Sequence, residues 1–494
     1  MPRELMSTSI SLVFEDAEIA NAVSSVVRIG NDLWVGADEG TSVTRLIPEG
    51  SARYRAAESN DLTTILALPA NERDEEGKLA EIDIEGMDWE PARGYLWLVG
   101  SHSLKRKKPK SRDSAEDSIK RLAKVSADGN RFVLGRVPVR IDATGASVLA
   151  TTSSDSQFAA RLECDRFGSE LLEAFREDKL FARFIPELGP ETEKKNIPGK
   201  DNGFDIEGLA VAGEDRLFVG VRGPVLRGWA CIIELRVNEE GRGSDKPGRL
   251  KLQKFAKSGL AYRRTFLELD GLGIRDLCFD GDDLLILAGP SMDIDWPAAI
   301  YRWNGARAKK TADAMLASDD PALSRVPVAA LPPGRIGFDR AEALLLWPEE
   351  NGFQRVFVAF DKPSPLRIAG DRHLFCEALQ IITAPRHQGL GGVSETLWRI
   401  LLETSAPLDF RPGCAAIMSE LLLAGVQKMQ TDNKTSPQDI LRAQDNLQLI
   451  VLEMKRIAVE KNERWLNKAK FNRALKRLAS DKIRLWPFIP APAA

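Results

Sequence analysis

The stretch beginning at Glu81, "EIDIEGMDWEPARGYLWLVGSHS", returns at Phe204 as "FDIEGLAVAGEDRLFVGVRGP". Laid together, Glu85 falls on Glu207, Gly86 on Gly208, and "YLWLVGSHS" on "RLFVGVRGP". Weaker copies start at 22 ("AVSSVVRIGNDLWVGADEGTS"), 274 ("IRDLCFDGDDLLILAGPSMD") and 340 ("RAEALLLWPEENGFQRVFVAFDKP"). Each copy is a pair of short apolar strands joined by a tight polar turn, such as Gly30-Asn31-Asp32, Pro91-Ala92-Arg93-Gly94 or Asp280-Gly281-Asp282. That is the chemistry of a β-hairpin. The second strand runs on to further apolar stretches, "WACIIELRV" and "AAIYRWNG" among them, which gives three or four strands per unit. Units of roughly 60–70 residues with four antiparallel strands predict the blades of a β-propeller.

Five copies predict five blades. The interval between the copies at 83 and 205 is about twice the others, so a degenerate sixth blade within 140–200 is the alternative. That interval holds a helix-like stretch, Asp165 to Phe184, read here as an insertion. The strand "SISLVFE" at Ser9 to Glu15 is expected to close the ring by pairing into the last blade. An open β-sandwich would explain the strand content, but not the shared register of acidic, apolar, glycine and turn positions.

From about residue 383 the pattern changes. "ITAPRHQGLGGVSE" is rich in breakers, and apolar residues then recur at helical spacing, as in Val393, Leu397, Ile400 and Leu401. Ser436-Pro437 before Asp439 reads as a helix start. The domains expected are therefore a propeller over 1–382 and an all-α helical bundle over 383–494, with 430–437 as an exposed inter-helix loop. A chain of 494 residues, 43% hydrophobic and 29% charged with a net charge of -3, has room for two such domains. No run of about 18 apolar residues could span a bilayer and no apolar leader follows the first basic residue, so a cytoplasmic protein with no membrane segment is expected. Five cysteines scattered singly predict free thiols and neither a disulfide framework nor a zinc ribbon.

Two basic stretches stand out. Lys455 to Ala494 carries 11 Lys plus Arg against 3 Asp plus Glu, and "LKRKKPKSR" spans Leu104 to Arg112. The first reads as a solvated helix face and the second as a mobile loop. Nucleic acid or another acidic partner, through Lys455–Arg484 or Lys105–Arg112, is the alternative reading of both. The helical end is the expected contact for a protein partner.

In a propeller the innermost strands line a central channel, and matching positions of different blades converge there. Glu85, Glu207 and Glu342 match across three blades, with Arg275 and Asp276 near the same place in a fourth; Asp83 and Asp205 sit two residues earlier. Like charges brought together raise one another's pKa or recruit a cation, and an oxygen-rich ring suits Ca²⁺, so Glu85, Glu207 and Glu342 are candidate metal ligands. Gly86 and Gly208 would let neighbouring strands pass closely. The strand-end corners add His102, Arg222, Asp293 and Asp361 as candidate ligand-binding residues. Structural ion pairs, Arg222 with Glu207 or His102 with Glu85, are the plainer reading. P-loop, GxSxG and HExxH signatures do not occur.

The combination of "DIEGL", "GVRGPV", "GSHSLKRK", "LAGPSMD" and "FVAFDKPSP" resembles an uncharacterised bacterial β-propeller family, catalogued as a domain of unknown function, over roughly residues 10–370. That family is distantly similar to phytase-like and esterase-like propellers. The resemblance implies a propeller fold but no settled activity. Its phytase-like side implies a second reading of the channel: a Ca²⁺-dependent phosphoesterase with His102 as general base and Arg222 as anion clamp. The chain lacks the long acidic runs of a multi-calcium phytase site. The expected function is accordingly a non-catalytic binding platform, with the hydrolase as its alternative.

Overall fold

All five sequence copies form antiparallel hairpins, and in each the first strand is innermost. The computed structural model describes residues 8–381, apart from 71–72, 74–76, 78, 111, 127, 155–156, 186–196, 214, 242–246, 256–257, 295–297, 309–311, 327, 329–337 and 351. These residues belong to one unit, Ser7–Ile381. The expected helical bundle over 383–494, its loop 430–437 and the basic stretch Lys455–Arg484 lie outside the described residues. No helix among the described residues is long and apolar enough to cross a membrane.

The inner strands are Val23–Ile29, Ile84–Glu90, Asp205–Gly213, Gly273–Asp280 and Arg340–Glu350. Each touches the next in chain order, and the fifth touches the first, so the five close a ring. Their partners, Asp32–Ala37, Tyr95–Gly100, Arg216–Leu226, Asp283–Gly289 and Phe353–Asp361, form the second layer, with further strands outside. This arrangement is a β-propeller. The strand Thr8–Val13 pairs antiparallel with His373–Gln380 and parallel with Arg53–Asp61, stitching the fifth blade to the first as the N-terminal sequence predicted. No inner strand comes from the described part of 140–200. That stretch supplies the outer strand Ala160–Leu162, which pairs with Leu134–Ile141 in the second blade, instead.

Packing between blades explains why the strands read as unbroken apolar runs. In Asp283–Gly289, Leu284, Ile286 and Ala288 face the third blade, among Phe218, Ile232 and Ile274. Leu285 and Leu287 face the fifth, among Leu344, Val356 and Val358. Side chains alternate along a strand, and a strand sandwiched between two blades must be apolar on both faces. Each such side chain contributes about 1.5–3 kcal/mol on burial.

Two expectations need correction. The helix-like stretch 165–184 holds only a seven-residue helix, Glu170–Arg176, capped by Ser169 and burying Leu171, Leu172, Ala174 and Phe175, followed by one short turn at Ala182–Phe184. The run Leu104–Arg112 is not a free loop. Lys105 and Arg106 form a strand paired with Val125–Ser126, and the helix Ala115–Leu122 lies between them. Three of its six basic residues have acidic partners: Lys105 pairs with Glu81 and Asp128, Arg106 with Asp201, and Lys108 with Asp293.

Candidate functional site in the propeller channel

Every inner strand carries a register shift at the same place. It falls between Val23 and Ser25, Ile84 and Gly86, Ile206 and Leu209, Ile274 and Asp276, and Ala341 and Ala343. The residues caught in these bulges are Ser24, Glu85, Glu207, Arg275 and Glu342. A bulge leaves one residue outside the ladder and re-aims its side chain, here from the blade faces toward the axis. This is the structural meaning of the DIEG repeat. Its glycine has a separate cause. A Cβ on Gly86 would lie 2.7 Å from the Leu209 amide nitrogen, and one on Gly208, at φ +86°, 2.8 Å from the Asp276 Cα. The inner strands converge so closely that nothing larger fits.

Around the bulge ring the charges divide into two neighbourhoods. On one side Glu207 is held by two arginines: Arg222 donates to its Oε1 at 2.5 Å, and Arg275 Nε stands 3.1 Å from its Oε2. Arg275 also pairs with Glu342, and Arg222 Nη1 lies 3.4 Å from Asp205. All of these side chains are buried. Buried guanidinium–carboxylate pairs compensate one another's desolvation, so this part of the site is structural in character. The expected Arg222–Glu207 pair is present, and an arginine stands at each Glu207 oxygen.

On the other side the acids outnumber their partners. Asp38, Asp83 and Glu85 each offer a carboxylate oxygen within 4.8 Å of the others, and so do Asp38, Glu342 and Asp361. Asp38 belongs to both groups, which fits its place in the first blade, between the second and the fifth. Ser24, the bulge residue of that blade, is small and donates its hydroxyl to the Ile84 carbonyl. Of these acids, Asp83 pairs with Arg131 at 2.8 Å and Asp361 lies 3.7 Å from Lys362. Asp38 Oδ1 and Asp361 Oδ2 are shut from solvent without a hydrogen-bond donor. Burial, reinforced by Asp361, pushes the Asp38 carboxyl up to about 8. Burial and the carboxylates of Glu207, Asp38 and Asp83 hold Glu85 well above the ordinary range, and Asp83 too is raised by burial. Asp205 is pushed by burial, against the pull of Arg222, up to about 7.

Lys200 enters this neighbourhood from the turn at 197–204, which is tied to the Leu104 carbonyl on one side and bridged to Met292 on the other. Burial and Arg222 press its pKa down, but Asp38, Asp361 and Glu85 prevail and hold it above the usual lysine value. Neither Asp38 nor Lys200 was singled out in the sequence. Asp38 had a signal: it follows Ala37, the partner of the residue that opens its blade's bulge, as Arg222 follows Val221 and Asp361 follows Phe360. Lys200 had none.

The remaining candidates sit elsewhere. His102 lies one position past that corner, with no solvent access; its Nδ1 is 2.8 Å from the Gly100 carbonyl and its ring is edge-on to Phe132. Burial lowers its pKa to about 4, so it is neutral, and it makes no pair with Glu85. Asp276 faces the fifth blade and accepts the amides of Leu344, at 2.6 Å, and Leu277. Asp88 does the same toward Val211 and Trp89. Asp293 is at the surface; partial burial opposes its ionisation, but Arg340 prevails and, with Lys108, holds it at about 2.

Among solved structures, the PQQ-bound aldose sugar dehydrogenase of Streptomyces coelicolor is 11% identical, with 76% of this chain and 99% of that one covered at a TM-score of 0.28. An α-L-arabinanase of Penicillium chrysogenum is 10% identical over 76% and 98% of the two chains, at 0.30. A virginiamycin B lyase from Staphylococcus aureus is 8% identical over 76% and 99%, at 0.26. Likenesses at this level carry no argument about chemistry. No curated protein matches the sequence. Residues 22–377 match the family described as "Protein of unknown function (DUF3616)", and the chain belongs to that family.

Proposed function

We propose that this protein is a binding propeller whose channel holds a divalent cation, Ca²⁺ before others, on carboxylates from its first, second and fifth blades. The observation that carries the reading is Asp38, gathered with Asp83 and Glu85 and again with Glu342 and Asp361, yet with Oδ1 lacking any hydrogen-bond donor. Carboxylate clusters in which acids outnumber their cationic partners are costly in a buried setting, and a bound cation lowers that cost. The donors are oxygens alone, which favours a hard cation over zinc or copper. Glu207, one of the three glutamates first considered as ligands, is left out of the set because Arg222 and Arg275 already hold it. In the same reading, residues 383–494 contact a protein partner, supported by their helical apolar spacing.

A phosphoesterase would use the same cation with Arg222 as anion clamp. Binding is preferred over it because His102, the base it needs, is buried, turned to the Gly100 carbonyl and weakly basic at a pKa of about 4. The test is calorimetric titration of the chelator-treated full chain with Ca²⁺, alongside its melting temperature. Saturable binding that raises the melting temperature, and that Asp38→Asn weakens at least about tenfold, is expected. Absence of both effects in the unmodified protein would overturn the reading.

A further inference from the structure

We infer that the channel takes two hard divalent cations side by side, with Asp38 shared between them. This rests on the cation reading above and goes beyond it in stoichiometry and geometry. The five carboxylates do not gather into one group; they form two triads, Asp38–Asp83–Glu85 and Asp38–Glu342–Asp361, with only Asp38 in common. Asp83 and Glu85 come from the second blade and Glu342 and Asp361 from the fifth, on either side of the blade that supplies Asp38. A carboxylate has two oxygens, and one on each of two cations is the usual way a single acid bridges a pair about 3.5–4 Å apart.

A second, independent observation marks each triad. Glu85 is 95% buried, at 5% exposure, and has no hydrogen bond or ion pair with a described residue. Asp361 is 3% exposed, its Oδ2 has no hydrogen-bond donor, and Lys362 at 3.7 Å is too distant to supply one. Both belong to buried residues and lack a hydrogen-bond donor among the described residues, and the cations near them, Lys200 and Lys362, act through charge alone. The acids that carry arginines meet them through one oxygen each: Asp83 meets Arg131 through Oδ2, and Glu342 meets Arg275 through Oε1. Each can hold its arginine and a cation together. Glu207 meets arginines on both oxygens, which sets the boundary of the pair.

The test is native mass spectrometry and calorimetry of the full chain, stripped with chelator and titrated with Ca²⁺ alone. Two Ca²⁺ per chain are expected for the unmodified protein. Glu85→Gln and Asp361→Asn should each leave one, and Asp38→Asn should weaken both at least about tenfold. The amide variants keep the shape of the side chain and remove buried like charge, and circular dichroism checks their fold. The unmodified chain's own stoichiometry decides even if a variant fails. A single Ca²⁺ that both Glu85→Gln and Asp361→Asn abolish would overturn the pair while leaving the channel as a cation site. Failure of the unmodified chain to bind any Ca²⁺ would remove both readings.

Discussion

Arg275 Nε stands 3.1 Å from Glu207 Oε2, across the boundary between the third and fourth blades. The other arm of the same guanidinium reaches Glu342 in the fifth. One side chain therefore neutralises two bulge carboxylates and links three consecutive blades at the axis. Removing one partner of a buried ion pair leaves its carboxylates uncompensated, which costs about 3–5 kcal/mol. Arg275→Leu is expected to lower stability by that amount in urea denaturation. Adding Glu207→Gln and Glu342→Gln to it should restore most of the loss. A cost below about 1 kcal/mol for Arg275→Leu would show that the pair does not hold the blades together.

Gly208 makes a second prediction, one of space and conformation together. Its φ is +86°, and an added Cβ would meet the Asp276 backbone at 2.8 Å. Gly213 has nearly the same φ, +83°, with nothing near the added atom. The left-handed conformation alone costs a side chain about 1–2 kcal/mol, and overpacking adds about 1–3. Gly208→Ala should lose about 3 kcal/mol and Gly213→Ala about 1, measured by the same unfolding curves. Equal losses at the two positions would mean that the inner strands are not in contact at Gly208.

The fold was legible because each blade repeats one local rule: an apolar strand, a tight turn and a second apolar strand. Those are short-range features, and alternation between two buried faces gives them a clear signal, as in "LLILA". The bulge glutamates were legible for the same reason, since Glu85 and Glu207 share a word. What the sequence hid was how the ring allots partners. Asp38 and Asp361 are over 300 residues apart and meet because Thr8–Val13 closes the circle. Glu207 looked equivalent to Glu85, yet Arg222 and Arg275 converge on Glu207 and leave Glu85 with no direct ion pair to a described residue. His102 drew notice as a histidine near the corner, although the alignment of "YLWLVGSHS" on "RLFVGVRGP" already puts Ser101 in the place of Arg222.

His102 provides a direct test of whether the channel has a general base. Its ring is fully buried and its Nδ1 is engaged with the Gly100 carbonyl, which makes Nδ1 the protonated nitrogen of a neutral ring. With a pKa near 4, it should keep one set of ring nitrogen shifts from pH 5.5 to 8 in an NMR titration. A midpoint between 6 and 7 would return it to the list of candidate bases.

Stability against pH follows from the opposing shifts of the acids and this histidine. In the folded chain, burial holds Asp88 and Asp205 at about 7 and Asp38 at about 8, against 3.8 as their ordinary value. Between those limits the folded chain keeps protons that the unfolded chain has released. Unfolding free energy therefore falls as pH rises through the window, and this contribution is fully present only below about 4. His102 acts the other way: its pKa is about 4 folded and 6.5 ordinarily, so its contribution is lost as pH falls from 6.5 toward 4. One histidine set against several raised acids leaves a net decline from pH 6.5 to 8, where the unfolded histidine loses only its last half proton. In the presence of chelator, urea midpoints should drop across that interval. Glu85→Gln, which removes one ionising group from the cluster, should flatten the drop and raise the midpoint at pH 8. Ca²⁺ should do the same to the unmodified chain, because a bound cation stabilises the ionised acids. A midpoint that climbs from pH 6.5 to 8 without Ca²⁺ would mean that the channel acids are compensated in the folded state by partners other than a cation.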